Sequence, residues 1–407
     1  MASPEPSSSP PSRSMGHGAP AASNSGVLPA DVLFDVLLRL PAKELCRLRA
    51  VCRAWRSLTF DPLFASAHAA RHPLFLASFR DDRAHICVVD LCGTVVKRIP
   101  NAEGHQLLHT RLDLACVATA RYGCRVLNPA TGSVEILPER PADDHLNREN
   151  FRKLNTSFAF GRIATTGEYK VLRIFDRLSL HGFNEQQLFE VLTIQGASSS
   201  SSSGRAQWRA RQSHDRFVEA SSAIVVGEVV YFKVDRLYDA WIFAGISTSI
   251  KPDNIISFDL EREEWKGVLR GPIADIFFTD EYDDHLEDYR ILWPELTLAD
   301  LRGSLSLVHY RKSRRIIDLW VLKDFDTDLW VKEYVIQIEL NFPTTEWRVK
   351  SLFMLEDGRI VIHFPKTGLV FIYDPRTNTS AQMGRRHLEA VAMYTGNLLS
   401  LQVGDML

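Results

Sequence analysis

Cysteine and long apolar runs are scarce in this 407-residue sequence. Its six cysteines, at positions 46, 52, 87, 92, 116 and 124, form no C-x-x-C pair, and none lies in the last two-thirds of the chain. This scatter excludes a disulfide framework and a zinc-ligand set, so we expect reduced thiols and a cytoplasmic and/or nuclear protein. No apolar run reaches the about 18 residues of a membrane-spanning helix, and the N-terminus lacks the apolar core of a secretory signal.

Net charge and motifs for catalysis are also missing. A formal charge of −2 at pH 7 provides no overall attraction to nucleic acid or to an anionic membrane, and we expect neither as a partner. The sequence contains no G-x-x-x-x-G-K-[ST] or G-x-G-x-x-G loop, no H-E-x-x-H and no G-x-S-x-G. These absences predict a protein without cofactors and without catalytic activity. A pocket assembled from distant segments would leave no such motif, so an enzyme remains the alternative.

The strongest apolar pattern lies at residues 28–58, LPADVLFDVLLRLPAKELCRLRAVCRAWRSL. Five apolar residues with helical spacing form a stripe on its first part: Val32, Leu33, Val36, Leu37 and Leu40. Phe34 and Leu38 extend the apolar surface beyond this stripe, so the predicted helix must be buried on most of its circumference. Pro41 is expected to end the helix and to begin the next one.

The second part of this stretch predicts another helix with an apolar stripe and basic flanks. The stripe consists of Leu45, Leu48, Cys52 and Trp55 at i, i+3, i+7 and i+10. Some 45 residues of short helices bury too little surface to be comfortably stable alone. Since each fully buried Leu, Val or Phe is worth roughly 1.5–3 kcal/mol, several uncovered apolar residues favour a partner protein. The pattern therefore predicts a helical docking module.

This stretch resembles the F-box, whose pattern runs LPxxLLxxILxRLPxxxLxRxRxVCxxWRxL. In that family the module docks on the Skp adaptor, and through it on a cullin, in Skp–cullin–F-box ubiquitin ligases. Carried over position by position, the resemblance implies these adaptor-binding residues: Leu28, Pro29, Val32, Leu33, Val36, Leu37, Leu40, Pro41, Leu45, Leu48, Val51, Cys52 and Trp55. Some of them must instead pack inside the module.

A further short helix is predicted directly after the F-box pattern. Asp61 provides an N-cap, Pro62 suits the first helical position, and Pro73 stops the helix after about Arg71. His68 and His72 lie one turn apart on this helix, but no third metal ligand is nearby. We interpret both as solvated histidines and predict no metal site.

The periodicity changes from helical to alternating at about residue 74 and remains so. A strand, a polar or glycine turn and a second strand recur at 87–99, 125–137, 188–196 with 207–209, 255–268, 319–334 and 370–383. Mostly β units with a spacing of roughly 40–65 residues are typical of β-propeller blades.

We predict an α+β multidomain chain: a disordered tail at 1–26, a helical module at 27–72, an all-β propeller of six or seven blades at 73–403 and a C-terminal tail at 404–407. Six blades are favoured. Because propellers protect their edges by closing the ring, residues 74–79 and 391–401 are expected in the same or neighbouring blades.

The β region resembles the F-box-associated domain of plant F-box proteins. The matching segments are VLNPATG, Phe160-Gly161 with the following YKV at 169–171, IISFDLE and LWVLKDFDTDLWVKEYVI. The resemblance implies a non-catalytic substrate receptor, in which the propeller binds a target protein of unknown identity. The alternative is an F-box protein whose propeller is an enzyme or a small-ligand sensor, which a convergent polar pocket on the propeller axis would favour.

One segment concentrates negative charge. Six of nine residues are acidic: Asp280, Glu281, Asp283, Asp284, Glu287 and Asp288. We interpret the segment as a solvated loop between two strand units, with a binding site for a basic partner as the alternative.

Overall fold

The structure of the protein is a computed structural model. It describes residues 29–101, 106–108, 110–119, 123–146, 155–176, 187–194, 206–235, 253–273, 292–338, 348–384 and 386–399. The predicted tails at 1–26 and 404–407 lie outside these residues. Within the described part, no helix is both long and apolar enough to span a membrane.

Four short helices form the N-terminal module: α1 (Ala30–Leu37), α2 (Ala42–Leu48), α3 (Arg53–Phe60) and α4 (Pro62–Arg71). The predicted cap of α4 is confirmed, because Asp61 Oδ1 accepts a 2.7 Å hydrogen bond from the Leu63 amide. The first helix ends earlier than expected, at Leu37, because the next residues tighten into i→i−3 hydrogen bonds before Pro41. Pro41 is the N-cap of α2 rather than its first helical residue.

The prediction of one continuous helix from Leu45 to Trp55 was wrong. Helix α2 ends at Leu48, residues 49–51 form turns, and Cys52 is an extended N-cap residue with φ −157°. The apolar spacing runs through the break without interruption. Periodicity alone therefore does not reveal that α2 and α3 are separate helices.

The β-strands that follow the helical module form the predicted β-propeller. In chain order they are β1 (Leu74–Phe79), β2 (Asp82–Val89), β3 (Val95–Pro100), β4 (Gln106–Leu107), β5 (Arg111–Leu112), β6 (Ala115–Ala118), β7 (Cys124–Leu127), β8 (Val134–Ile136), β9 (Asn155–Arg162), β10 (Tyr169–Asp176), β11 (Leu188–Ile194), β12 (Arg209–Arg211), β13 (Ile224–Val226), β14 (Val229–Lys233), β15 (Ile255–Asp259), β16 (Glu264–Leu269), β17 (Leu296–Leu301), β18 (Ser304–Arg311), β19 (Ile316–Asp324), β20 (Leu329–Gln337), β21 (Ser351–Met354), β22 (Ile360–Phe364), β23 (Leu369–Asp374), β24 (Thr379–Gln382) and β25 (Leu388–Tyr394). One further helical turn, α5 (Asp143–Leu146), lies between β8 and β9.

The described strands make six blades of four strands each. They are blade 1 (β25-β1-β2-β3), blade 2 (β4-β6-β7-β8), blade 3 (β9 to β12), blade 4 (β13 to β16), blade 5 (β17 to β20) and blade 6 (β21 to β24). A single parallel bridge, Asp300 to Phe353, joins blades 5 and 6, and β5 adds a short parallel pairing to β25. At every junction between neighbouring blades around the ring, the innermost strand of at least one of the two blades contacts the other blade.

The two ends of the β region meet in blade 1, as predicted. Strand β25 pairs antiparallel with β1, from Leu74 opposite Tyr394 to Phe79 opposite Leu388. Blade 1 therefore combines the last described strand, β25, at its innermost position with the first three strands of the β region, β1 to β3. This pairing closes the ring and removes the exposed edges that an open array of blades would have.

The recurring sequence unit is the outer hairpin of each blade. In blades 1, 2, 4, 5 and 6 its turn begins with an Asp or Asn whose side chain accepts backbone N–H bonds from within the turn. The turn ends on a residue with positive φ, and these residues are Gly93, Gly132, Glu263, Asp328 and Asn378. Asp and Asn stabilise such turns through their side chains, and glycine tolerates positive φ without strain.

Candidate functional site

The helical module is organised around a small buried core. Leu37 of α1, Leu45 of α2 and Phe64 of α4 pack together and are at most 1% exposed. The fourth fully buried member is Leu399, which follows the last propeller strand. The module therefore obtains part of its core from the far end of the chain.

Two histidines of α4 hold the end of α1. His68 Nε2 lies 2.9 Å from the Leu40 carbonyl oxygen, and His72 Nε2 lies 3.0 Å from the Leu38 carbonyl oxygen. The interpretation of both as solvated histidines was wrong, because His68 is 5% exposed and both rings bond to carbonyls at a helix end. Carbonyls that a helix end leaves without partners are satisfied in this way. Among the described residues, no three His, Cys, Asp or Glu side chains are grouped as metal ligands.

We expect the contribution of His68 to stability to depend on pH. Burial lowers the pKa of His68 to about 4. The hydrogen bond to the Leu40 carbonyl raises the pKa but does not offset the effect of burial. A histidine normally titrates near pH 6.5, so the unfolded chain binds this proton first as the pH falls. The stabilisation by neutral His68 is thus complete above about pH 6.5 and is lost towards pH 4, by roughly 3 kcal/mol.

Chemical denaturation of wild type and a His68→Gln variant at several pH values tests this expectation. The difference in free energy of unfolding should be largest at pH 7 and should shrink steadily as the pH falls to 4. A difference that stays constant over this range would show that protonation of His68 is not linked to folding.

The structure divides the adaptor-binding residues that the sequence predicts into three groups. Leu37 and Leu45 are buried inside the module, and Leu28 lies outside the described residues. The partly buried group consists of Leu33, Leu40, Leu48 and Trp55, which pack against the core of the module. The exposed group consists of Pro29, Val32, Val36, Pro41, Val51 and Cys52. Only the last two groups present surface to a partner.

The exposed group includes a pair of valines on one face of α1. Val32 and Val36 lie four residues apart, and they are 41% and 45% exposed. Val51, in the turn before α3, is 60% exposed. Sequence reasoning missed two further exposed apolar side chains, Phe60 and Leu63, which lie at the junction of α3 and α4. The sequence gives no signal for this exposure, because the spacing of apolar residues within α3 and α4 does not show which side of each helix faces the other helices.

A segment after β25 connects the helical module to the propeller. Arg49 donates from Nη2 to the Leu399 carbonyl and from Nε to Thr59 Oγ1 at 3.1 Å. Leu398 is buried together with Cys46 of α2 and side chains of blades 1 and 2. Residues 397–399, here called the C-terminal clasp, therefore lie between the two domains and contact both.

A second feature is a cavity of about 220 Å³ on the propeller axis. It is lined by residues at or near the starts of the innermost strands β4, β9, β13 and β17 and by residues 348–350, which precede β21. The C-terminal clasp instead follows the end of the innermost strand β25. Since successive blades repeat the same strand order, the cavity and the helical module lie at opposite ends of the ring.

The acidic segment lies outside the part of the chain that the structure describes. Asp280, Glu281, Asp283, Asp284, Glu287 and Asp288 all lie outside the described residues. Both interpretations of this segment, as a solvated loop and as a binding site for a basic partner, stay predictions.

Comparison with known proteins gives matches over both parts of the chain. A family described as "F-box-like" matches residues 26–68, and one described as "F-box associated beta propeller domain" matches residues 68–394. The chain is similar to F-box protein At3g07870 of Arabidopsis thaliana, with 25% identity over 86% of this chain and 85% of that protein. It is also similar to F-box/kelch-repeat protein At3g23880 of the same plant, with 25% identity over 84% of this chain and 86% of that protein.

Solved structures give a more distant likeness. An oligogalacturonate lyase from Vibrio parahaemolyticus is 7% identical, with a TM-score of 0.40 over 77% of this chain and 79% of that one. A likeness at this level supports no statement about activity.

Proposed function

Because the chain belongs to the F-box proteins that carry an F-box associated β-propeller domain, we propose that it is a substrate-recognition subunit of a Skp–cullin–F-box ubiquitin ligase. The helical module docks on a Skp-family adaptor, and through it on a cullin, while the propeller binds a target protein. The proposed place of action is the cytoplasm and/or the nucleus.

The observation that carries adaptor docking is the exposed apolar surface of the helical module. Val32 and Val36 share one face of α1, and Val51 and Cys52 are exposed at the start of α3. These side chains remain in water although Leu37 and Leu45 of the same apolar pattern are buried inside the module. Full burial of a valine is worth roughly 1.5–3 kcal/mol, so a partner with a complementary apolar surface gains from covering them.

The proposed mechanism is proximity rather than chemistry by this chain. Holding a target near the conjugating enzyme raises the effective concentration of its lysines. A non-catalytic role is supported by the described residues that line the axial cavity, where Glu219 is the single carboxylate. Glu219 is ion-paired with Lys233 at 3.1 Å and with Arg348 at 3.6 Å. An acid–base pair of carboxylates would need a second such group there.

The experiment for adaptor docking is a binding measurement with purified Skp-family adaptor. In a Val32→Glu/Val36→Glu variant, two apolar contacts are replaced by carboxylates that docking would bury. We expect Kd to rise about 100-fold or more, since the two valine contacts alone are worth roughly 3 kcal/mol. Melting should change little, because both side chains are exposed in the free protein.

Leu63→Glu is the matched control. Leu63 is also apolar and is 77% exposed, but it is not among the predicted adaptor-binding residues. Adaptor binding at wild-type strength by the double valine variant would overturn the docking surface. The full-length Val32→Glu/Val36→Glu variant also serves to find the target. Proximity labelling in cells should capture the proteins that this variant binds but cannot present to the ligase.

A further inference from the structure

The axial cavity carries an excess of positive charge. Three cations line it, Lys233, Arg348 and Lys350, together with one carboxylate, Glu219. Arg348 and Lys350 are exposed, whereas Val349 between them is buried in the core of blades 5 and 6. This alternation places both cationic side chains on the same face of the strand that leads into β21, which is the face towards the cavity.

The three cations differ in how far they are neutralised. Lys233 is fully engaged: it pairs with Glu219, donates to the Trp293 and Leu296 carbonyls at 3.1 and 2.9 Å, and lies 3.8 Å from the Trp293 ring centre. Arg348 shares Glu219 at the longer distance of 3.6 Å, and half of its side chain is exposed. Within the described part of the chain, Lys350 forms no ion pair, although Glu389 acts on it electrostatically.

The charge excess is costly although Arg348 and Lys350 keep exposed surface, because protein atoms displace part of the water around the cationic groups. Burial lowers the pKa of Lys233, and burial together with the neighbouring Arg348 charge lowers the pKa of Lys350. Both lowered pKa values mean that the site disfavours its own positive charges when it is empty. An anion between Arg348 and Lys350 would relieve that cost.

The same cavity holds two hydroxyl groups that have no hydrogen-bond partner among the described residues. Thr110 is 7% exposed, and its Oγ1 atom is buried with no hydrogen bond. Thr156 Oγ1, in β9, is likewise buried and without a partner. Both residues line the cavity. Buried polar groups nearly always have a hydrogen-bond partner, so two unpaired hydroxyls in a cavity that Arg348 and Lys350 also line point to a missing acceptor.

From these observations we propose that the end of the propeller axis away from the F-box is a binding site for a small organic anion that bears a carboxylate or a phosphate group. Arg348 and Lys350 bind the charged group, and the Thr110 and Thr156 hydroxyls donate to its oxygens. The volume of about 220 Å³ is smaller than the roughly 300–1,000 Å³ of drug-sized ligand pockets. This favours a small metabolite over the side chains and backbone of a protein segment.

The proposal goes beyond adaptor docking and is tested without the adaptor. Isothermal titration calorimetry at constant ionic strength would use inorganic phosphate, pyrophosphate and succinate as probes, with the purified full-length protein. We expect saturable binding of at least one probe, and a Kd at least tenfold higher in an Arg348→Gln/Lys350→Gln variant. The matched control is Arg53→Gln/Arg56→Gln, which removes the same charge from α3 at the opposite end of the molecule and should bind like wild type.

A Thr110→Val variant separates ligand binding from a structural role. It removes an unpaired hydroxyl and keeps the shape, so the ligand-free protein should melt at the same temperature or slightly higher. Affinity for the bound probe should nevertheless fall several-fold. The relative strength of the phosphate and succinate titrations identifies which charged group the site prefers.

Two results would overturn the proposal. One is the absence of saturable binding for all three probes. The other is binding that the Arg348→Gln/Lys350→Gln variant retains at wild-type strength. If no probe binds and the same variant loses a target protein in cells, the cations instead recognise an acidic group of that target, and the small-anion site is wrong.

Discussion

A chain that ends at His387 is expected to lose the cooperative unfolding of the whole propeller, because it lacks β25. This strand supplies the innermost position of blade 1, where six of its seven residues are buried. It pairs with β1 and also contacts the innermost strands of blades 2 and 6. At roughly 1.5–3 kcal/mol for each large buried apolar side chain, the loss is comparable to the usual 5–15 kcal/mol stability of a folded domain.

Calorimetric melting of two shortened chains provides the test. A chain that ends at Leu399 keeps all described residues at this end and should melt like wild type. A chain that ends at Met393 keeps most of β25 but loses the buried Tyr394, Leu398 and Leu399, and an intermediate melting temperature is expected. A sharp transition near the wild-type temperature for the chain ending at His387 would contradict closure of the ring by β25.

The second large effect is expected from Glu190→Leu in blade 3. Glu190 of β11 lies directly opposite Arg173 of β10, and neither side chain has any solvent exposure. Arg173 Nε donates to Glu190 Oε2 at 2.9 Å. The other carboxylate oxygen accepts from the Ala142 amide at 2.8 Å and from His145 Nδ1 at 2.7 Å, which fastens α5 to the blade.

Replacing Glu190 leaves an uncompensated guanidinium in the core. Burial alone raises the pKa of Glu190, but the hydrogen bond from His145 and the charge and hydrogen bonds of Arg173 outweigh it and lower the pKa. The carboxylate is therefore ionised and paired at neutral pH. Removal of one partner of a buried ion pair costs roughly 3–5 kcal/mol, because the other charge stays buried.

Denaturant unfolding of single and double variants tests this reason for the loss. Arg173→Met combined with Glu190→Leu buries no charge and should recover much of the stability that Glu190→Leu loses. If the double variant is as unstable as the single one, the loss comes from the detached α5 and not from the unpaired Arg173.

The parts of the fold that the sequence predicts best are those specified locally. All six recurring units correspond to outer hairpins, and in blades 1, 2, 4, 5 and 6 the alternating strands and an Asx turn lie within about 15 residues of each other. Inner strands are harder to recognise. Strand β4 has two residues, and such a short segment has no measurable alternation. Its place in the ring depends on neighbouring blades and not on its own sequence.

The site residues that sequence reasoning missed depend on contacts between distant parts of the chain. Leu399 packs against Leu37 and Leu45 across about 350 positions, and no motif near residue 399 indicates a helical partner. In the axial cavity, Thr110, Thr156 and Lys350 come from three different blades. Each of them is an ordinary polar residue in its own segment. Only ring closure brings them together. The sequence therefore allows a polar pocket on the propeller axis but does not show which residues line it.

The C-terminal clasp has a consequence for the order of events during synthesis. The helical module leaves the ribosome before the propeller, yet its core stays incomplete until Leu399, which follows β25, has emerged. We therefore expect a nascent chain to gain the full surface that we propose for adaptor binding only when the propeller is also complete. Adaptor binding by the chain that ends at His387 measures this directly, since it should be much weaker than that of the full chain. Under the proposed function, a chain with an unfinished propeller would then bind the adaptor too weakly to join a ligase.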